Sequence, residues 1–179
     1  MPFPRSKKKV YTEDELYEYA VGALARRMRT VAELKRLLRQ KVEADTEFGQ
    51  TLVELIIRRL KDQGYLNDAK YAAAYSSFRR DNEKFGRMRV VTDLKAKGVH
   101  AEVIDKAVSS VYDDVNEEKQ ARAYLQRKRL VKPTDRKQAA RIFRQLTRAG
   151  FRAKTIFSIL KRWEVDEETL TALEGETQD

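Results

Sequence analysis

The chain has 179 residues, 37% charged and 41% hydrophobic, with 38 Lys and Arg against 28 Asp and Glu for a net charge of +10. Seven Gly and three Pro suit helices better than strands and turns, and the absence of Cys excludes disulfides, thiolate metal sites and a Cys nucleophile, as expected in a reducing cytoplasm. No apolar run approaches a membrane span, and "MPFPRSKKKVYTEDE" has no apolar core behind its basic residues, so no secretory signal is expected.

In chain order, residues 1–12 read as a basic tail. The Ala- and Tyr-rich segment "YEYAVGALARRM" from Tyr17 then has the small-plus-aromatic spacing of a closely packed helix. Thr30 and Glu33 form a capping-box pattern ahead of Leu34, Leu37 and Leu38, which predicts a second helix. After "EADTEFGQ", read as a longer turn or an added helical turn, a third helix is anchored at Phe48. It carries Leu52, Val53, Ile56, Ile57 and Leu60 on one face.

The same sentence is then repeated. "YAAAYSSFRR" from Tyr71 opens a second unit. A helix with Val90, Val91 and Leu94 follows, then a stop at Gly98. Beyond it Val99 anchors a stripe of Ile104, Ala107, Val108 and Val111. A third unit opens with "ARAYLQRKR" from Ala121 and is broken at "VKPTD", where Thr134 or Asp135 is the expected N-cap. It continues through Ile142, Phe143 and Leu146 to Gly150. Phe151 then anchors Ile156, Ile159, Leu160 and Trp163. One short stripe cannot bury itself, and repetition lets neighbours share burial. The expectation is an all-α protein of three tandem three-helix repeats, 13–66, 67–115 and 116–163, forming an elongated, curved array of about nine helices, with an acidic tail over 164–179. Tyr71, Tyr75 and Phe78, spaced i, i+4, i+7, read as a core stripe rather than a platform for stacked bases.

The charge is uneven. Residues 117–163 carry fifteen Lys and Arg against three Asp and Glu, whereas 164–179 carry seven acidic residues and no basic one. A module this basic is drawn to a polyanion or an acidic protein surface. The helix before each turn carries spaced cations. These are Lys35, Arg36 and Arg39 in the first unit, Arg87, Arg89, Lys95 and Lys97 in the second, and Arg141, Arg144, Arg148 and Arg152 in the third. Arg141, Arg144 and Arg148 stand three and four apart and so share one helix face. Guanidinium groups suit phosphate or carboxylate partners better than ammonium groups do. These positions, with Arg79, are the candidate contact residues. Catalysis finds no support. His100, the single His, opens a helix where polar residues face water. No nucleophile–base set, metal-ligand spacing or Gly-rich phosphate loop is present, and no cofactor is expected.

The middle unit, "GYLNDAKYAAAYSSFRRDNEKFGRMRVVTDLKAKGV", resembles the RecX regulators of bacterial recombination. Leu66, Asn67, Asp68, Tyr71, Ala72, Tyr75 and Arg79 fill the first half of the family's motif. Gly86, Arg89, Val90, Asp93, Leu94, Lys97, Gly98 and Val99 fill the second. The outer units are similar to the family's opening and closing helix pairs, so the resemblance covers about residues 15–163. Ala69 stands where an acidic residue is usual, and Arg87-Met88 where a Pro is usual. The resemblance implies a non-catalytic, cytoplasmic, monomeric protein. Its partner would be the RecA recombinase in its filament on single-stranded DNA, with ATPase, strand exchange and the co-protease activity behind the SOS response suppressed. The residues by themselves also support a second reading, direct DNA binding by basic helices of a helix-turn-helix kind, and a third, an adaptor for another acidic protein.

Overall fold

The computed structural model describes residues 11–42 and 46–175. Among these there are ten helices and no strand: α1 (Glu13–Arg26), α2 (Val31–Arg39), α3 (Glu47–Asp62), α4 (Asp68–Asp81), α5 (Arg87–Ala96), α6 (Ala101–Tyr112), α7 (Glu117–Arg127), α8 (Arg136–Arg148), α9 (Ala153–Arg162) and α10 (Glu167–Gly175). The first nine form the three three-helix repeats. The chain falls into two compact units, residues 1–71 with 96–100, and residues 72–95 with 101–179. Most of the basic tail, residues 1–10, and Glu43–Asp45 of the inserted segment lie outside the described residues.

Helix starts follow local hydrogen-bond chemistry. Thr12 caps α1 and Thr30 caps α2, each in a full capping box with a Glu three residues on. In the second box the Glu33 N–H donates to Thr30 Oγ1 at 3.1 Å and the Thr30 N–H donates to Glu33 Oε2 at 3.2 Å. Of the two candidates before α8, Asp135 is the cap and accepts from the Gln138 N–H at 2.8 Å.

In the first unit the core is Leu16, Ala20 and Ala23 of α1, Leu34 and Leu38 of α2, and Leu52, Val53, Ile56, Ile57 and Leu60 of α3, with Val42 and Leu66. Phe48 does not belong to it. The expected anchor is 72% exposed, and Val42, 9% exposed, fills the buried place that follows α2. Val42 stands five residues after Leu37, as Val99 does after Leu94 and Phe151 after Leu146. The insertion therefore follows the anchor instead of preceding it. Part of it becomes helix, since α3 runs for 16 residues against 12 in α6 and 10 in α9.

In the second unit the last repeat is closed by Ala121, Tyr124 and Leu125 of α7, Ile142, Phe143 and Leu146 of α8, and Ile156, Ile159 and Leu160 of α9. A tenth helix follows inside the acidic segment. Asp166 caps it through the Thr169 N–H at 2.8 Å, and Leu170 and Leu173 are buried in the same core. Trp163 packs against this core while only partly buried. The Tyr71/Tyr75/Phe78 stripe is corrected at its last member. Tyr71 is buried, but Phe78 is 54% exposed, and Ser76 turns inward in its place.

The two turn glycines do more than end helices. Gly98 and Gly150 have φ of 75° and 91°, a left-handed conformation costly for a residue with a Cβ. A Cβ on Gly98 would collide with Ala32 at the start of α2, and one on Gly150 with the Arg89 backbone in α5. Each glycine turn therefore receives the start of the middle helix of the preceding repeat. At Gly98 the Thr30 hydroxyl donates to the Lys97 carbonyl at 2.7 Å. At Gly150 the Gly86 N–H donates to the Ala149 carbonyl at 2.8 Å and the Met88 N–H to the Gly150 carbonyl at 3.3 Å. Gly86 is itself obligatory, because a Cβ there would meet the Gly150 carbonyl.

Candidate interaction surface

The motif residues of the middle repeat are framework. Leu66, Tyr71, Ala72 and Leu94 are buried. Gly86 and Gly98 serve the turn contacts. Asp68 accepts from the Val31 N–H at 2.8 Å, satisfying an orphan donor at the start of α2. Tyr75 donates to Asp93 Oδ2 at 3.0 Å. Burial raises the Tyr75 phenol above its ordinary range, and the Asp93 hydrogen bond and charge push it the same way.

The candidate cations separate into two groups by their partners. Several are engaged inside the fold. Lys35 pairs with Glu54 at 2.7 Å, and Arg87 with Asp113 at 2.6 Å and with the Ser109 hydroxyl at 3.0 Å. Lys97 pairs with Glu33 at 3.0 Å and lies 5.7 Å from the Tyr71 ring centroid. Burial alone would lower the Lys97 pKa, but the hydrogen bonds and charges of Glu33 and Tyr71 together outweigh it and the ammonium is held above its ordinary range. Burial alone would raise Glu33, and the bonds from Lys97 and the Thr30 N–H hold it below. Arg79 stacks over Tyr75 at 4.9 Å and Phe85 at 5.4 Å, 4.0 Å from Asp93, with its Nε buried and unbonded. It is a packing cation.

The rest are exposed. Arg36 and Arg39 lie on the outer face of α2, and Lys95 is exposed near the end of α5. On α8, Ala139, Ile142, Phe143 and Leu146 turn inward, which sets Arg141, Arg144 and Arg148 on the opposite face. Arg152 is exposed at the N-cap of α9, where its N–H donates to Glu117 Oε1 at 3.1 Å.

Three candidates converge. Arg89 of α5 and Arg141 and Arg148 of α8 line one cleft of about 380 Å³ with Gln145 and Ala149, walled by Phe85 and Tyr124. Arg89 is fixed by Asp93 at 3.0 Å and by a 3.4 Å bond from Nη1 to the Arg148 carbonyl. Arg148 Nε donates to the Arg144 carbonyl at 3.2 Å. Gln145, Phe85 and Tyr124 were not singled out in the sequence. They enter the cleft only because the Gly86 turn docks on Gly150, a contact with no local sequence signal beyond the two glycines. No described helix is long and apolar enough to cross a membrane.

Residues 67–108 match the family model for the second three-helix domain of RecX. Over 160 residues the chain is 32% identical to regulatory protein RecX of Myxococcus xanthus, covering 83% of each. It is 31% identical over 151 residues to regulatory protein RecX of Trichlorobacter lovleyi, covering 83% of this chain and 95% of the relative. It is 30% identical to regulatory protein RecX of Bacillus subtilis but spans only 57% of that protein's length. Among solved structures, the crystal structure of RecX from Lactobacillus salivarius superposes with a TM-score of 0.63 at 21% identity, covering 85% of this chain and 96% of that one. A second crystal structure of regulatory protein RecX gives 0.65 at 24%, covering 84% and 73%. The fold is thus that of solved RecX proteins, and by sequence the chain belongs to the RecX family of regulatory proteins.

Proposed function

We propose that this chain regulates homologous recombination and DNA repair by binding RecA in its filament on single-stranded DNA and inhibiting ATP hydrolysis, strand exchange and co-protease activity. Family membership over most of the chain carries this reading. The exposed cations of α2 and α8 give it a physical means, since a filament offers acidic protein surface and phosphate together. It acts as a cytoplasmic monomer without chemistry of its own. The test is binding to RecA filaments assembled on immobilised single-stranded DNA, compared with the same DNA bare. The chain is expected to load on filaments at concentrations that leave bare DNA unoccupied. Equal loading on both would replace the reading with direct DNA binding, which the guanidinium cleft of α5 and α8 favours as the second reading.

A further inference from the structure

We infer that the cleft between α5 and α8 is a phosphodiester-binding site for single-stranded nucleic acid, with Arg89, Arg141 and Arg148 as its guanidinium donors and Gln145 as its neutral donor. Three observations carry this. The groups come from two different repeats and meet in one pocket, so the site exists only when the Gly86 turn is docked on Gly150. Two of the three guanidinium groups are held in place before any ligand arrives, Arg89 by Asp93 and the Arg148 carbonyl, and Arg148 by the Arg144 carbonyl. A prearranged donor loses less conformational freedom on binding. Charge is also left over. Asp93 offsets Arg89, but among the described residues Arg141 and Arg148 have no carboxylate partner.

A planar fork of N–H groups matches the paired oxygens of a phosphodiester, and two such forks with a third beside them exceed what one carboxylate neutralises. A polymer with a charge on every unit supplies the excess, because α8 continues the cationic face beyond the cleft through Arg144. The site goes beyond the recombinase reading and needs no recombinase, so the two fail separately.

The test is fluorescence anisotropy of a labelled oligothymidylate titrated with the full chain over a range of salt concentrations. Three double variants are compared. Arg141→Gln with Arg148→Gln removes two charges from the cleft. Arg58→Gln with Lys61→Gln removes two exposed charges elsewhere, on α3. Arg141→Lys with Arg148→Lys keeps charge and loses the fork. All four replaced side chains are exposed, and a thermal melt checks folding. The cleft Gln variant is expected to bind about tenfold more weakly, with a log–log salt slope shallower by about 1.4. The α3 variant should stay within about twofold, and the Lys variant should fall between them. Equal weakening by the α3 and cleft Gln variants would reduce the cleft to bulk charge and overturn the site. So would no weakening of the cleft variant, or wild-type chain that binds polyglutamate but not the oligothymidylate.

Discussion

Gly150 is fixed twice, by its left-handed φ of 91° and by the Arg89 backbone against its α-carbon. Gly150→Ala should therefore cost at least about 2 kcal/mol, adding a steric clash to the left-handed penalty. Gly22 lies within α1 with open space where a Cβ would go, so Gly22→Ala should stabilise by about 0.5–1 kcal/mol. Urea titration of both variants checks the opposite signs. The Glu33–Lys97 pair gives a pH signature. Glu33 is held below its ordinary range, so its contribution is present above the unfolded pKa and lost as pH falls through the lower folded value. Lys97 is held above its ordinary range, so its contribution is present below the unfolded pKa and lost as pH rises through the higher folded value. Lys97→Met should cost about 1 kcal/mol across roughly pH 5–10, and the difference from wild type should shrink in stronger acid and base. A difference constant across the whole range would contradict the assignment. The sequence showed Lys97 and Arg79 as cations but not their partners. Those partners lie 64 and 14 residues away and are brought near only by folding.

Elements were read well where a pattern is local. The Thr30–Glu33 box, the glycine stops and the apolar stripes each lie within a few residues and need no tertiary information. Phe48 shows the limit. A large apolar residue at helical spacing looks like an anchor, but Val42, which the chain brings into the core just after α2, already holds that place. Helix α10 shows another limit, because two leucines three apart among acidic residues are too weak a stripe to stand out from a charged tail. Their burial makes α10 part of the last repeat's core. Truncation before Glu167 should expose that face and lower the stability of the second unit by about 3 kcal/mol or more, scaling from the loss of two buried leucines. Hydrogen exchange at α8 and α9 reads it, and unchanged protection there would contradict the packing. Thr30→Ala should cost about 1–2 kcal/mol, since the hydroxyl both caps α2 and donates to the Lys97 carbonyl.

At the scale of the whole molecule, the repeats place a family motif and a set of cations in different roles. The motif residues of the middle repeat go to burial and turn docking, and the exposed charge sits on α2 and α8. The candidate contact residues were therefore readable as a charge pattern, while the cleft between α5 and α8 was not, because Arg89 lies 52 and 59 residues from its cleft partners. The proposed function places the chain's action on recombinase filaments at concentrations that leave bare DNA unoccupied. ATP hydrolysis by preformed RecA filaments on single-stranded DNA, titrated with this protein beside a DNA-only binding curve, tests it most directly. Loss of hydrolysis is expected well below the concentration that occupies bare DNA. Loss only where the protein coats the DNA, or no loss at all, would contradict it.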